Sequence, residues 1–234
     1  MSAAVRRPRV AVVVFPGSNC DRDALAAVEE VGGEAVPVWH ASEDLAGSGA
    51  VILPGGFSYG DYLRAGAMAA HSPVMRAVRR HARAGGAVLG ICNGFQVLLE
   101  IGMLPGAMLM NRSLRFVCQD VHLRVEHDEG PLLRLLRPGQ VLTLPVAHKE
   151  GNWFAAPEVL TEVERTGAVA LRYCTADGVL ADAANPNGAL GHVAGLVHGD
   201  GNILGLMPHP ERRVSELLGG TDGRALVRAL VEAA

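Results

Sequence analysis

Short apolar segments alternate with helical patterns through the first hundred residues, and this alternation constrains the fold more than any other feature of the chain. The run RVAVVVF is apolar throughout, which is typical of a strand buried on both faces of a parallel sheet. Strands that alternate with helices usually form a mainly parallel sheet with helices on both faces. We therefore predict strands at 9–15, 34–39, 50–54 and 87–91, and helices at 21–31, 74–84 and 94–102.

The second half has a different pattern. Strand-like segments at 114–127, 140–148 and 168–175 are separated by connections rich in Gly, Pro and Asn, and 192–207 is typical of a hairpin around Gly199-Asp200-Gly201. A closing helix is predicted at 222–233. The predicted fold is α/β, an open, mainly parallel twisted sheet flanked by helices, with an antiparallel extension in the second half. We expect residues 1–234 to form a single domain.

Local signals predict where the first two helices begin and end. Ser18 or Asn19 is expected to cap the first helix, and Gly32-Gly33 to end it. Ser72-Pro73 is a suitable start for the second helix, which Gly85-Gly86 ends.

Composition excludes several classes of protein. With 49% hydrophobic residues the chain can build a core, and a net charge of −3 without a basic run argues against nucleic-acid binding. No apolar stretch is long enough for a membrane span, and the run after the N-terminal arginines is too short for a signal peptide. We expect a cytoplasmic protein. The four cysteines show no Cys-x-x-Cys spacing, so no metal site and no disulfide framework is predicted.

A cysteine lies at the junction between the fourth predicted strand and the third predicted helix. Gly90 and Gly94 flank Cys92 at two residues on either side, as in a nucleophile elbow with Cys in place of Ser. Glycines are favoured there because a sharp strand-to-helix turn leaves no room for side chains. The helix N-terminus favours the thiolate over the thiol. The alternative is a buried core cysteine before a helix.

A thiol nucleophile needs a base, and the base needs an orienting group. His209 and Glu211 follow the predicted strand NILGLM, and residues two apart in an extended segment point to the same side. Pro208 and Pro210 stiffen the backbone around them. The alternative is a proline-rich turn with an exposed charge pair.

Together these two motifs resemble the class I, triad-type glutamine amidotransferases, which have a flavodoxin-like fold. The family's G-x-C-x-G-x-Q motif is matched by 90–96, and its H-P-E motif by 209–211. Segments 15–23, 53–66, 111–116 and 207–212 resemble the glutamine amidotransferase subunits of phosphoribosylformylglycinamidine synthase, and the likeness spans about 8–232. One departure is Lys149, at a position where that family usually has glycine.

The resemblance implies roles for particular residues. Cys92 would attack the side-chain carbonyl of L-glutamine, His209 would move the protons, and Glu211 would orient His209. Oxyanion donors are expected at the backbone of Asn93 and in the glycine loop, where Gly55 and Gly56 allow close approach. The resemblance also implies four residues that shape the glutamine pocket: Gln96, Asn111, Ser113 and Phe116.

It also implies partners. The family's synthetase subunit binds formylglycinamide ribonucleotide and ATP and uses ammonia channelled from the glutaminase subunit, and a small third subunit assists in many bacteria. No cofactor is expected in this chain, with ATP and Mg²⁺ used by the synthetase. Asp61, Tyr62 and Arg64 are expected to face a partner. The glycine loop lacks the Gly-Lys-Ser/Thr ending of a nucleotide-binding loop.

The remaining cysteines, Cys20, Cys118 and Cys174, lack an elbow context and are assigned to structure. Two rival functions stay open at this point. One is a stand-alone cysteine hydrolase of γ-glutamyl substrates, which would need no partner. The other is a non-catalytic interaction module, against which the complete set of Cys92, His209 and Glu211 argues.

Overall fold

The computed structural model describes residues 7–198 and 200–234. Its strands are β1 (Arg9–Val14), β2 (Glu34–Trp39), β3 (Ala50–Leu53), β4 (Ala87–Ile91), β5 (Ala107–Leu109), β6 (Val117–Val125), β7 (Val141–His148), β8 (Asn152–Phe154), β9 (Val169–Cys174), β10 (Val193–Val197) and β11 (Ile203–Leu206). Its α-helices are α1 (Asp21–Glu30), α2 (Val74–Arg83), α3 (Asn93–Glu100), α4 (Pro157–Arg165) and α5 (Arg224–Glu232). Nine strands form one sheet in the order β2-β1-β3-β4-β11-β10-β9-β6-β7, and β5 pairs with β8.

The first five strands of that order are parallel. Strands β3, β4 and β11 are buried at every residue, as expected for strands covered on both faces. The chain moves from β1 to β2 in one direction and from β3 to β4 in the other, so right-handed crossovers place α1 and α2 on opposite faces. The predicted parallel sheet is confirmed.

The last four strands of the order are antiparallel to their neighbours. In β7 buried and half-buried residues alternate, which shows that one face of this strand packs on the core. The antiparallel extension is confirmed, as is the pairing of β10 with β11 in the predicted hairpin. Gly199, in the predicted turn, lies outside the described residues.

The expected caps of α1 and α2 are wrong, although the helices themselves are confirmed. Cys20 is the N-cap residue of α1, and no side chain caps this helix. Asp21 and Asp23 lie in its first turn instead, where carboxylates complement the positive end of the helix dipole. The Ser72 hydroxyl bonds to the Tyr59 hydroxyl at 3.0 Å rather than capping α2. Glycine ends α1 as predicted, since the Gly33 amide donates to the Val28 carbonyl at 2.9 Å.

Helix α4 and the short pair β5–β8 were not predicted. Val163 is the one fully buried residue of α4, so its apolar pattern is weak. The clearest signal in the sequence is Pro157, which starts the helix at a position that proline favours.

Strand order explains where a site can form. The strands β1, β3, β4 and β11 are consecutive neighbours in the sheet and parallel, so their carboxyl ends meet at one edge. Ligands of open α/β sheets bind outside such ends. That the whole chain is a single domain stays a prediction.

Among the described residues, no helix combines the length and apolarity that crossing a lipid bilayer requires.

Candidate active site

Cys92 occupies a strained turn between β4 and α3. Its φ of 49° and ψ of −103° lie where L residues rarely occur, and such strain persists when the surroundings impose it. A Cβ at Gly94 would lie 1.9 Å from the Leu53 carbonyl oxygen, and one at Gly90 would lie 2.8 Å from the carbonyl oxygen of Gly94. The flanking glycines are therefore sterically required, and the predicted elbow geometry is present.

His209 and Glu211 pair in the turn after β11. The Nδ1 of His209 and Oε1 of Glu211 are 2.6 Å apart, and both side chains are about 1% exposed. The alternative of an exposed charge pair is thus wrong. Pro210 starts a short 3₁₀ turn that holds the two side chains on the same side.

Gly55, after β3, brings the two motifs together. A Cβ placed there would lie 2.7 Å from Cε1 of His209 and 3.4 Å from Cβ of Cys92. The imidazole and the thiol-bearing residue therefore converge on the same small space at the strand ends. A side chain at this position would fill it, so glycine is needed for steric reasons.

The protonation of His209 is set by opposing effects. Burial by itself lowers the pKa of the imidazole, but the charges of the Glu211 carboxylate and the Cys92 thiolate raise it well above its usual value. Nε2 of His209 and Oε2 of Glu211 have no hydrogen-bond partner among the described residues. The imidazole is thereby held beside the sulfur with one nitrogen available.

The expected oxyanion donors lie next to Cys92. The Asn93 amide is at the start of α3, where helix geometry provides no backbone acceptor. Gly56 has a φ of 128°, and a Cβ there would lie 2.6 Å from the Asn19 nitrogen. Gly55 thus lets the loop backbone approach Cys92, whereas Gly56 packs against the backbone of Asn19; that the two glycines and Asn93 form an oxyanion hole stays a prediction.

Gln96 and Asn111 are buried at the same end of the sheet. Gln96 donates to the Glu150 carbonyl at 2.6 Å and accepts from the Asn93 side chain at 2.9 Å. The Asn111 amide donates to the carbonyls of Arg115 and His148, both at 2.9 Å. Both residues are engaged with protein groups, so they hold the wall of the cleft in place.

Ser113 and Phe116 are exposed at the surface. The Ser113 hydroxyl accepts from the Arg115 amide at 3.3 Å, which stabilises a turn. Phe116 stacks on Phe57 of the glycine loop with ring centroids 6.5 Å apart. The structure therefore places these two at the rim rather than beside Cys92.

The glycine loop continues over the N-terminus of α3. Asp61 accepts from the Asn93 side chain at 3.3 Å, and burial together with the Glu150 carboxylate raises the pKa of Asp61 to about 6. Tyr62 is 76% exposed, and Arg64 forms a surface ion pair with Glu100. Tyr62 and Arg64 are thus available to a partner, whereas Asp61 is turned towards the site.

Cys20, assigned to structure from the sequence, belongs to this site. Its sulfur, His209 and Glu211 offer atoms within 4.8 Å of one another, and Arg212 donates to the sulfur at 3.1 Å. The available signal was positional, since Cys20 follows β1, whose neighbour β3 leads to Gly55. Cys118 is exposed and Cys174 is buried, and both lie in the antiparallel strands.

His148 is a second buried histidine that sequence reasoning missed. It ends β7, and the carbonyl of the preceding Ala147 lies 3.8 Å from the Cys92 sulfur. The signal that could have found it is its position next to Lys149, where the sequence differs from the family it resembles. Lys149 itself is exposed and has no left-handed backbone, so this position does not require glycine.

Comparisons with known proteins agree with this geometry. A family model described as a CobB/CobQ-like glutamine amidotransferase domain matches residues 7–219. The chain is 53% identical over 227 residues to phosphoribosylformylglycinamidine synthase subunit PurQ of Gloeobacter violaceus, covering 97% of this chain and 98% of that protein. It is 55% identical over 226 residues to the PurQ of a Thermus thermophilus strain, covering 96% of this chain and 98% of that protein.

Solved structures show the same fold. A chain of PurLQS from Thermotoga maritima superposes with a TM-score of 0.85 at 41% identity, covering 97% of this chain and 98% of that one. The glutaminase domain of Trypanosoma brucei CTPS with bound acivicin has a TM-score of 0.61 at 12% identity, covering 96% and 92%, and at that identity the likeness shows the fold alone.

Proposed function

Because this chain belongs to the glutamine amidotransferase family that includes the PurQ subunits, we propose that it is the glutaminase subunit of phosphoribosylformylglycinamidine synthase in purine biosynthesis. It hydrolyses L-glutamine to glutamate and ammonia. The ammonia passes to a synthetase subunit, which uses ATP to convert formylglycinamide ribonucleotide to formylglycinamidine ribonucleotide.

One observation carries the chemical part of the proposal. Cys92, on its strained elbow, and His209, paired with Glu211, converge on the space that Gly55 leaves open. A nucleophile, a base beside it and a carboxylate that orients the base form the constellation used for acyl transfer through a covalent intermediate.

The first half of the reaction breaks the amide. The Cys92 sulfur attacks the side-chain carbonyl carbon of glutamine, a C–S bond forms, and the carbonyl oxygen becomes an oxyanion. We assign the stabilisation of that charge to amides of the glycine loop and of Asn93, which starts α3 directly after Cys92, and one such donor contributes about 3–4 kcal/mol in other hydrolases. The C–N bond then breaks, and His209 gives its proton to the nitrogen, which leaves as ammonia.

The second half releases glutamate. His209, now neutral, takes a proton from water, and the hydroxide oxygen attacks the thioester carbon. The C–S bond breaks and the Cys92 sulfur leaves as thiolate beside the newly charged imidazole. Glu211 stabilises the imidazolium in both halves, which fits the raised pKa of His209.

A synthetase partner is supported by the surface around the cleft. Several large apolar side chains on the surrounding loops are exposed, as is typical of a protein–protein contact. They are Phe57, Tyr62, Leu63, Leu114 and Phe116. A small third subunit in the complex is part of the same proposal, and the ATP and Mg²⁺ are assigned to the synthetase.

A cytoplasmic location belongs to the proposal as well. The cysteines of the chain are all free, including the nucleophile, and thiols persist in the reducing cytoplasm.

The decisive experiment is Cys92→Ala in the complex assembled with the synthetase subunit. We expect glutamine-dependent formation of the amidine product to disappear, while the reaction supplied with ammonium salt continues near the wild-type rate. Cys118→Ala, at an exposed cysteine of β6, is the matched control and should leave both reactions unchanged.

Survival of the glutamine-dependent reaction in Cys92→Ala would show that another residue is the nucleophile. High glutaminase activity of the isolated chain, with no binding to the synthetase, would instead favour the stand-alone hydrolase.

A further inference from the structure

His148 is a buried titratable residue that the reaction described above does not use. Its side chain is 3% exposed, and it lies on the core-facing side of β7 with Val146, Leu144 and Leu142. A histidine placed among such apolar neighbours needs partners for both ring nitrogens, since an unsatisfied buried polar atom is costly.

Asn111 determines which nitrogen carries the proton. Its amide nitrogen donates to two carbonyls, so its Oδ1 must face donors. That oxygen lies 3.1 Å from Nδ1 of His148 and 3.0 Å from the Gly151 amide. Nδ1 of His148 is therefore the protonated nitrogen.

The other nitrogen is then a bare acceptor. Burial, reinforced by the charge of His209, lowers the pKa of His148 to about 4, so the ring is neutral at physiological pH. Nε2 consequently offers a lone pair, yet it is buried and no described residue donates to it. An acceptor in that state is poised for a donor that the free protein does not supply.

The position of His148 indicates which donor this is. The Ala147 carbonyl is 3.8 Å from the Cys92 sulfur, and the Pro145 carbonyl accepts the His209 amide at 2.9 Å. The end of β7 thus lies against both reacting residues. A Cβ at Gly151 would lie 2.3 Å from Cε1 and 2.7 Å from Nε2 of His148, so only glycine lets the loop beyond β7 pack against this ring.

We propose that Nε2 of His148 accepts a hydrogen bond from the N–H of the substrate's side-chain carboxamide and holds the ammonia that leaves from it. The proposal rests on the glutaminase function. It makes His148 a residue that recognises the nitrogen of the scissile group, whereas the oxyanion donors recognise its oxygen. His148 gives no proton to the ammonia, because Nε2 carries none and the Nδ1 proton is bonded to Asn111, so the ammonia is not converted to ammonium by this residue and stays a nucleophile.

The substitution His148→Asn tests this. An asparagine amide can keep the donor to Asn111 that Nδ1 provides, but it has no atom at the position of Nε2. The test compares kcat/KM for L-glutamine with kcat/KM for L-glutamate γ-methyl ester, measured on the complex with the synthetase subunit. Both substrates acylate the same sulfur, but the ester has no N–H on its leaving group.

We expect kcat/KM for glutamine to fall about 10- to 100-fold, the effect of losing one buried hydrogen bond, and that for the ester to change by less than about twofold. His148→Gln, which restores an acceptor near Nε2, should recover part of the glutamine activity. His122→Asn is the matched control, because His122 of the neighbouring β6 bonds to Thr143 at 3.2 Å. This variant should leave kcat/KM unchanged for both substrates.

Equal losses for the amide and the ester would overturn the proposal, since they would mean a structural role. Unchanged glutamine turnover in His148→Asn would overturn it as well. Failure of the underlying glutaminase function is distinguishable, because the wild-type complex would then release no ammonia from glutamine at all.

Discussion

The two halves of the sheet each bring one buried histidine to the same cleft, and the two rings are in opposite states. His209 follows β11 of the parallel half, and His148 ends β7 of the antiparallel half; they are 1% and 3% exposed. Yet the pKa of His209 is raised well above the usual value, whereas that of His148 is lowered to about 4. Burial is nearly the same, so it cannot explain the difference.

The partner of each Nδ1 explains it. Glu211 presents a carboxylate to His209, and the charge attraction outweighs the cost of burying an imidazolium. Asn111 presents a neutral amide to His148, so burial dominates. The Glu211 carboxylate is the largest of the effects that raise the pKa of His209, to which the two nearby cysteines add, and His148 has no such partner.

The backbone around the two histidines' strands differs as well, in where residues with strained φ values lie. Residues with positive φ that are not glycine include Cys92 at the elbow and Tyr59, Asp61 and Leu63 in the glycine loop after β3. His148 lies on a regular strand. Strain therefore lies directly at Cys92 and in the loop beside it, whereas the strand that carries His148 is regular; in the second half of the chain, Leu114 and His192 have positive φ.

The largest effect is expected from removing the Glu211 carboxylate, which makes the pKa of His209 differ from that of His148. Glu211→Gln should reduce glutamine turnover about 10³- to 10⁴-fold, because the imidazolium loses its stabilising charge. The pKa of His209, followed by NMR, should fall towards that of His148.

Glu162→Gln is a suitable control, since Glu162 forms an exposed ion pair with Arg165 on α4. A Glu211→Gln variant that retained both its activity and a raised His209 pKa would contradict the claim that Glu211 causes the difference between the two histidines.

The pKa shifts of the two histidines have opposite signs, so the two residues should affect the pH dependence of folding stability in opposite directions. Below the unfolded pKa of about 6.5 the unfolded chain protonates its histidine at position 148, but the folded chain does not until about pH 4. Stability from this residue is therefore full above about pH 6.5 and lost as pH falls to about 4, by about 3 kcal/mol. Urea unfolding should show that the gap between wild type and His148→Asn narrows over this window.

His209 has a raised pKa, so its contribution is full below about pH 6.5 and lost as pH rises through the folded pKa. The gap between wild type and His209→Asn should narrow at alkaline rather than acid pH. Gaps that narrow in the same direction for both variants would contradict the assignment of charges.

The smallest effect is expected at Lys149, beside His148. Its side chain is exposed and its backbone is not left-handed, so Lys149→Gly restores the residue typical of the family without relieving strain. The free energy of unfolding should drop by about 0.5–1 kcal/mol because glycine gains entropy when the chain unfolds. Glutamine turnover should stay within about twofold of wild type; a large gain in either quantity would mean that the loop is strained by lysine.

Much of the fold could be predicted because its signals are local. Continuous apolar runs marked the buried strands, and glycines marked the ends of α1 and α2. Helix α4 was missed because it buries little apolar surface. The α1 cap was wrong because two acidic residues in the first turn make a side-chain cap unnecessary.

The candidate site was predictable where chemistry leaves a motif of a few consecutive residues. Cys92 between its glycines and His209 with Glu211 are of this kind. Cys20 and His148 are not, because Cys20 stands alone at the start of α1 and His148 at the end of β7, and neither position carries a signal of what it faces. Ser113 and Phe116 belong to a matching segment, but their exposure at the rim depends on how that segment folds.

By itself the sequence determined the elbow and the histidine–carboxylate pair, because each depends on neighbours in the chain. That β11, which leads to His209, lies parallel to β4, which leads to Cys92, was decided by the tertiary structure. Only the tertiary structure decided that the end of β7 lies against the cleft, although β7 is four strands from β11 in the sheet. That contact joins residues that are distant both in the chain and in the strand order, so it depends on the whole sheet and on no single segment.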